Sequence, residues 1–294
     1  MPQQPLLNGA RRKPIRYEAV QGYFEQSDPG TDGSAFPLIP VALGLVDKSE
    51  SRWEKTFRRL RVLQEKVGKK GVVKLLFLQR HGQGEHNVAE AKYGKEAWDS
   101  YYSKLPFYFD ASLTPLGISQ LAQNADNLFA EINEHKLALP SLIVTSPLSR
   151  CLNTTRLVWG KITQNKYDPK AIEFLREQYG DHTCDQRRTR TELSKRFPEV
   201  DFTDLVTDED SLWEKDVREP DEHVIERVRA VFDGLFSLPE TSSGETLDVL
   251  TSEKLIGIVC HGGIIESSIH ITGHRDFPVP PGGMLPMVVI GWFE

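Results

Sequence analysis

Two short stretches of this chain, Arg80-His81-Gly82 and His261-Gly262-Gly263, each place an imidazole beside glycine at the end of an apolar run. Two others, Ser146-Pro147-Leu148-Ser149-Arg150 and Leu175-Arg176-Glu177-Gln178-Tyr179-Gly180, bring an arginine and a carboxyl group to similar positions. Together these groups suit the chemistry of a phosphoryl group. The planar fork of arginine cannot be deprotonated and matches a tetrahedral oxyanion, so Arg80 and Arg150 are candidates to hold one. A neutral imidazole in line with phosphorus can attack it, dividing one difficult displacement into two easier ones. A second histidine can donate to the equatorial oxygens, and a carboxylic acid such as Glu177 can protonate the leaving oxygen and later activate water. Gly82, Gly262 and Gly263 let backbone approach the anion and open helix N-termini that favour it. No step requires a cofactor or a metal. A zinc site at His81 and His86 has the wrong spacing and no third ligand.

Residues so far apart in sequence need a fold that gathers them. Val72-Val73-Lys74-Leu75-Leu76-Phe77-Leu78, Leu142 to Thr145, Ile172 to Leu175 and Leu255 to Cys260 read as buried strands, and Met287 to Phe293 as a closing strand. Helical spacing appears at Trp53, Phe57, Leu60, Leu63 and Val67, and again at Val224, Val228, Val231, Phe232 and Leu235. Thr114 and Pro115 mark one helix start, with Leu116, Leu121, Ala125, Leu128, Phe129 and Ile132 as its buried stripe, and Ser146 and Pro147 mark another. Alternation of this kind predicts an α/β fold, a three-layer αβα sandwich around a mostly parallel sheet. In such a sheet His81, Arg150, Glu177 and His261 meet along the edge where the strands end.

Composition narrows the partners. The 294 residues carry a formal net charge of -6 and are 39% hydrophobic, which suits a globular chain with a substantial core and argues against a nucleic-acid polymer as partner. Three cysteines without paired spacing fit a reducing compartment, and no window reads as a signal peptide or membrane span, so a cytoplasmic protein, also admissible in the nucleus, is expected. Cys260 reads as an inert small core residue. Oligomeric state is left open. The first 70 residues read as an N-terminal arm, irregular to about residue 50, followed by a helix packed on a domain spanning 71–294; residues 238–253 read as a polar loop.

The segment 88–110 is crowded with aromatics: Tyr93, Trp98, Tyr101, Tyr102, Phe107, Tyr108 and Phe109. They either pack an excursion onto the core or form a wall or lid over the site, in which case Trp98 touches substrate. Gln83 and His86 are further candidate substrate contacts, and Arg187 and Arg188 are candidates to grip a second anionic group, although a charge run is also the ordinary composition of a solvated face.

These motifs, in this order, resemble the histidine phosphatase superfamily, the phosphoglycerate mutase-like group, and most of all its fungal phosphomutase-like proteins. The similarity covers roughly residue 72 onward. It implies His81 as the nucleophile, with Arg80, Asn87, Arg150 and His261 as the phosphate pocket and Glu177 as the proton donor. It also implies a small phosphorylated metabolite as substrate. Glycolytic mutases follow the acidic glutamate with Arg-His-Tyr-Gly, whereas Glu177 is followed by Gln178-Tyr179-Gly180. A metal-independent phosphatase acting through a phosphohistidine is therefore expected. A phosphomutase is the alternative, and a catalytically inactive binding module of the same fold is the second.

Overall fold

The computed structural model describes residues 15–164, 168–237 and 255–293. Its centre is a six-stranded sheet in the order β1-β6-β2-β5-β3-β4. The strands are β1 (Ile15–Val20), β2 (Gly71–Arg80), β3 (Leu142–Thr145), β4 (Lys170–Ala171), β5 (Leu255–Cys260) and β6 (Met284–Phe293). Strands β2, β5, β3 and β4 run parallel, while β6 is antiparallel to both β2 and β1. The mostly parallel α/β architecture expected from the alternation is what the chain adopts.

The apolar run of β2 is continuous because both faces of the sheet are covered. Val72, Leu76 and Leu78 enter the core under α8 (Asp221–Phe236) and α9 (Gly262–Thr272). Val73, Leu75 and Phe77 point the other way, toward α1 (Arg52–Val67) and α4 (Pro115–His135). Each such side chain, fully buried, contributes ~1.5–3 kcal/mol relative to exposure. Trp159, in a π-helical turn (Arg156–Gly160) after α5 (Ser149–Thr155), lies 3.2 Å from where a Cβ on Gly257 would stand. Its indole donates to Gln79 Oε1 at 2.8 Å, which satisfies a polar group inside the sheet. Helices α2 (Glu85–Tyr93) and α3 (Lys95–Ser100) follow the loop after β2; α6 (Lys161–Thr163) and α7 (Arg190–Arg196) complete the set.

Four expectations need correction. The arm is not irregular throughout: Ile15–Val20 is the edge strand β1, paired over its full length with β6. Residues 1–14 lie outside the described residues, as does the polar loop at 238–253. Second, the strand expected at Ile172–Leu175 lies earlier, at Lys170–Ala171, and Glu173–Leu175 is a 3-10 turn. The Glu173 amide donates to Asp204 Oδ2 at 3.0 Å, so a side chain takes the hydrogen bond a ladder would need. Third, α5 starts at Ser149 rather than at Ser146-Pro147: Leu148 is still extended, and the Ser149 amide donates to Asp110 Oδ1, from the aromatic segment, at 2.8 Å. Fourth, Leu116 and Phe129 of the expected α4 stripe are exposed, while Leu121, Ala125 and Leu128 are buried.

Segment 15–70 shares the sheet and the core of the rest. Arg52 binds both oxygens of Glu131 on α4, at 2.8 and 2.7 Å, and Trp53 Nε1 adds a third bond at 2.7 Å. Among the described residues no helix is long and apolar enough to cross a membrane.

Candidate active site

The C-terminal ends of β2 and β5 lie side by side, with Arg80 paired to Cys260. His81 and His261 leave the sheet together, their ring centroids 5.1 Å apart, and His86 stands 5.4 Å from His81. His81 Nδ1 lies 2.7 Å from the Gly82 carbonyl oxygen. That oxygen can only accept, so Nδ1 carries the proton and Nε2 of the neutral ring keeps its lone pair. Burial, then the Arg150 and Arg80 charges, holds the His81 pKa well below the ordinary histidine value. His86 and His261 are lowered in the same way, by burial first and Arg150 second.

Gly82 lets the loop pack closely against α4. A Cβ there would stand 2.9 Å from the Gly117 carbonyl and from Leu121, so its absence lets α4 close on the loop. The same closeness recurs at Gly117, where a Cβ would meet the Gln83 carbonyl at 2.3 Å. Thr114, the N-cap of α4, accepts from Gly117 N at 3.0 Å and donates to Gln83 Oε1 at 2.8 Å. Gln83 is thus tied to a helix start. Asn87 Oδ1 accepts from Gly84 N at 2.9 Å, closing the turn into α2. Arg80 lies against Gly262, with its guanidinium carbon 3.2 Å from where a Cβ would be, and Nη1 donates to Val279 O at 2.9 Å.

Arg150 is almost wholly buried on α5. It donates to the Cys184 carbonyl at 2.6 Å and to Asp185 Oδ1 at 2.9 Å, and among the described residues its buried Nε has no hydrogen-bond partner. Burial opposes its charge most strongly, but Asp185 together with Cys184, Cys151 and Glu177 raises its pKa on balance. Glu177 reaches α9: its Oε1 accepts from the Gln178 amide at 3.0 Å, and a Cβ on Gly263 would stand 2.6 Å from that oxygen. His81, Arg80, Arg150, Glu177 and His261 are therefore brought to one edge of the sheet, as the strand-end pattern implies.

Other candidates sit elsewhere. Arg187 faces inward: it binds Glu173 at 3.1 and 3.0 Å, and its remaining nitrogens donate to the carbonyls of Arg188, Thr207, Asp208 and Glu209. Its donors are taken up by the protein, which corrects the expectation that it grips substrate. Arg188 pairs with Asp110 and Glu192. Trp98 is 3% exposed and packs edge-on to Tyr108, with its ring 6.0 Å from His182. The aromatic segment thus packs mainly on itself, although Tyr101 and Phe107 are exposed.

Several residues near the site carry no signal of a chemical role in the sequence pattern. Ser146, read there as a helix start, has its hydroxyl 2.8 Å from His261 Nε2, and Cys151 Sγ is 3.4 Å from the same nitrogen. Thr154 accepts from the Gly82 amide at 3.2 Å. Asp185 pairs with both Arg150 and Arg218. Cys260 is fully buried with its thiol pKa pushed up by desolvation, as an inert core residue would be.

Comparison with known proteins gives a consistent set of matches. The family model described as Histidine phosphatase superfamily (branch 1) matches residues 76–277. A probable phosphoglycerate mutase of Arthroderma benhamiae is 33% identical over 295 residues, covering 94% of this chain and 84% of that protein. A probable phosphoglycerate mutase of Saccharomyces cerevisiae is 33% identical over 299 residues, covering 92% and 95%. Phosphomutase-like protein 3 of Candida albicans is 31% identical over 287 residues, covering 93% and 80%.

Proposed function

Because the chain belongs to the histidine phosphatase superfamily (branch 1), we propose that it hydrolyses a small phosphomonoester through a phosphohistidine on His81. The observation that carries this reading is the Nδ1 contact to the Gly82 carbonyl, which leaves the Nε2 lone pair beside the arginine charges. A protonated ring has no lone pair to attack with, and burial disfavours protonation.

In the first step His81 Nε2 forms a bond to phosphorus as the ester P–O bond breaks. Glu177, in its acid form, gives its proton to the departing alkoxide oxygen. Arg80, Arg150 and His261 hold the phosphoryl oxygens while charge redistributes among them, and the Asn87 amide nitrogen adds a neutral donor. In the second step Glu177, now a carboxylate, takes a proton from water. The water oxygen bonds to phosphorus, the Nε2–P bond breaks, and inorganic phosphate leaves.

Substitution of His81 by alanine tests this directly. Turnover should fall by at least about 10³-fold and acid-labile labelling from a ³²P-ester should vanish, with the thermal melt retaining one cooperative transition. Retained turnover in that variant would end the phosphohistidine reading. A phosphomutase is the second reading, favoured by the mutase names of the relatives. Release of inorganic phosphate to water, against transfer to a second hydroxyl, separates the two.

A further inference from the structure

The strip 213–219, which carries no motif, runs alongside the acid segment 177–185. Asp181 N donates to Glu214 O at 3.0 Å, Glu219 N donates to Tyr179 O at 3.0 Å, and Trp213 Nε1 donates to His182 O at 2.9 Å. The approach is so close that a Cβ on Gly180, where φ is +82°, would stand 1.7 Å from the Val217 carbonyl. Only glycine fits there. This packing brings Arg218 against Gly180 and Asp185 of the acid segment.

Asp185 lies between two guanidinium groups. One oxygen accepts from Arg150 Nη2 and the other from Arg218 Nη1, both at 2.9 Å. Arg218 Nη1 also donates to Gly180 O at 2.9 Å. Among the described residues, Nε and Nη2 of Arg218 donate to no protein acceptor, and the side chain is 30% exposed. Arg187, with every nitrogen engaged and a side chain 1% exposed, shows what a purely structural arginine looks like in this molecule. Two acids nearby are already paired, Asp181 with Lys104 at 2.8 Å and Asp99 with Lys95 at 3.0 Å. Arg218 and Glu177 lie near enough for the carboxylate to favour the guanidinium charge.

From this geometry we infer that Arg218 is a specificity-determining residue that binds a second anionic group, a carboxylate or a further phosphate, on the leaving-group side of the substrate. The inference rests on the proposed function for the place of the phosphoryl group at Arg150. With that group fixed, Arg218 lies one carboxylate further out, on the side of the proton donor, where the departing alcohol stands. The free Nε and Nη2 form the edge of the guanidinium that takes a carboxylate or phosphate in two parallel bonds.

The test uses two phosphonates that cannot be cleaved, benzylphosphonate and 4-carboxybenzylphosphonate, with binding measured by calorimetry. The full-length protein should bind the carboxylated ligand about tenfold more tightly, which is ~1.4 kcal/mol. In Arg218→Gln that ratio should fall to within about twofold of unity, and Arg218→Lys should keep part of it. A thermal melt of each variant shows that it is folded. Three results overturn the inference: no preference in the unsubstituted protein, a preference that survives Arg218→Gln, or equal weakening of both ligands, which would mean that Arg218 acts only by supporting Arg150 through Asp185. Phosphate release from 4-carboxybenzyl phosphate is measured separately. A binding preference without release would leave the inference standing and overturn hydrolysis instead.

Discussion

The two sides of the pocket treat buried ionisable groups in opposite ways. On the strand-end side, His81, His86 and His261 are buried with no carboxylate paired to them among the described residues, and desolvation with the nearby arginine charges holds their pKa values well below the ordinary histidine value. On the loop side, charges are buried in pairs: Arg150 and Arg218 with Asp185, Arg176 with Asp210, Arg187 with Glu173, Arg227 with Glu219. A nucleophile needs a free lone pair, whereas an anion receptor needs a permanent charge. The same burial serves both, because it removes the proton from an imidazole and leaves a carboxylate-paired guanidinium charged.

The largest way to break this contrast is to remove a paired charge far from the substrate. Arg187→Met leaves Glu173 buried beside Arg176 alone and should lower stability by ~3–5 kcal/mol in urea unfolding. The folded enzyme should keep its kcat/KM within about threefold. A large kcat/KM loss with little loss of stability would return Arg187 to the substrate side.

A smaller effect comes from the neutral histidines. Their folded pKa values lie below the ordinary 6.5, so as pH falls through 6.5 the unfolded chain takes up protons that the folded one does not. Stability contributed by the neutral form is therefore complete above about pH 6.5 and declines as pH falls toward the folded values. Each group adds at most ~1.4 kcal/mol per pH unit to the slope. Measured by urea unfolding between pH 7 and 5, the slope should become shallower in His81→Asn. An unchanged slope would mean that this ring takes up its proton as readily in the folded state as in the unfolded chain.

The smallest perturbation tests how the loop carrying His81 is held. Thr114→Ala removes the N-cap of α4 and the hydroxyl bond to Gln83, and should reduce stability by ~1 kcal/mol. If Gln83 is positioned through this bond, the alanine variant should also raise KM, while Thr114→Ser should restore both values.

Much of this arrangement was legible in the sequence because strand ends are marked by an abrupt change of residue type. The switch from Leu78 to Arg80-His81-Gly82, and from Val259 to His261-Gly262, places reactive groups on the sheet edge without any knowledge of strand order. Short edge elements were less legible. Strand β4 spans two residues, and its end is decided by Asp204, a residue 31 positions from Glu173. Likewise Ser146 and Pro147 carry a local helix-start signal, yet α5 starts at Ser149, whose amide donates to Asp110, 39 residues away.

The sequence by itself determined which groups meet at the sheet edge: apolar runs must be buried, and parallel strands end on the same side. Only the tertiary structure decided which arginines face the pocket. Arg187 and Arg218 have the same chemistry, and nothing local distinguishes them. One is enclosed by Glu173 and the carbonyls of 207–209, and the other is left with an open edge beside Asp185. That difference comes from contacts between distant segments, where desolvation of a charge is compensated in one place and left available to a ligand in the other.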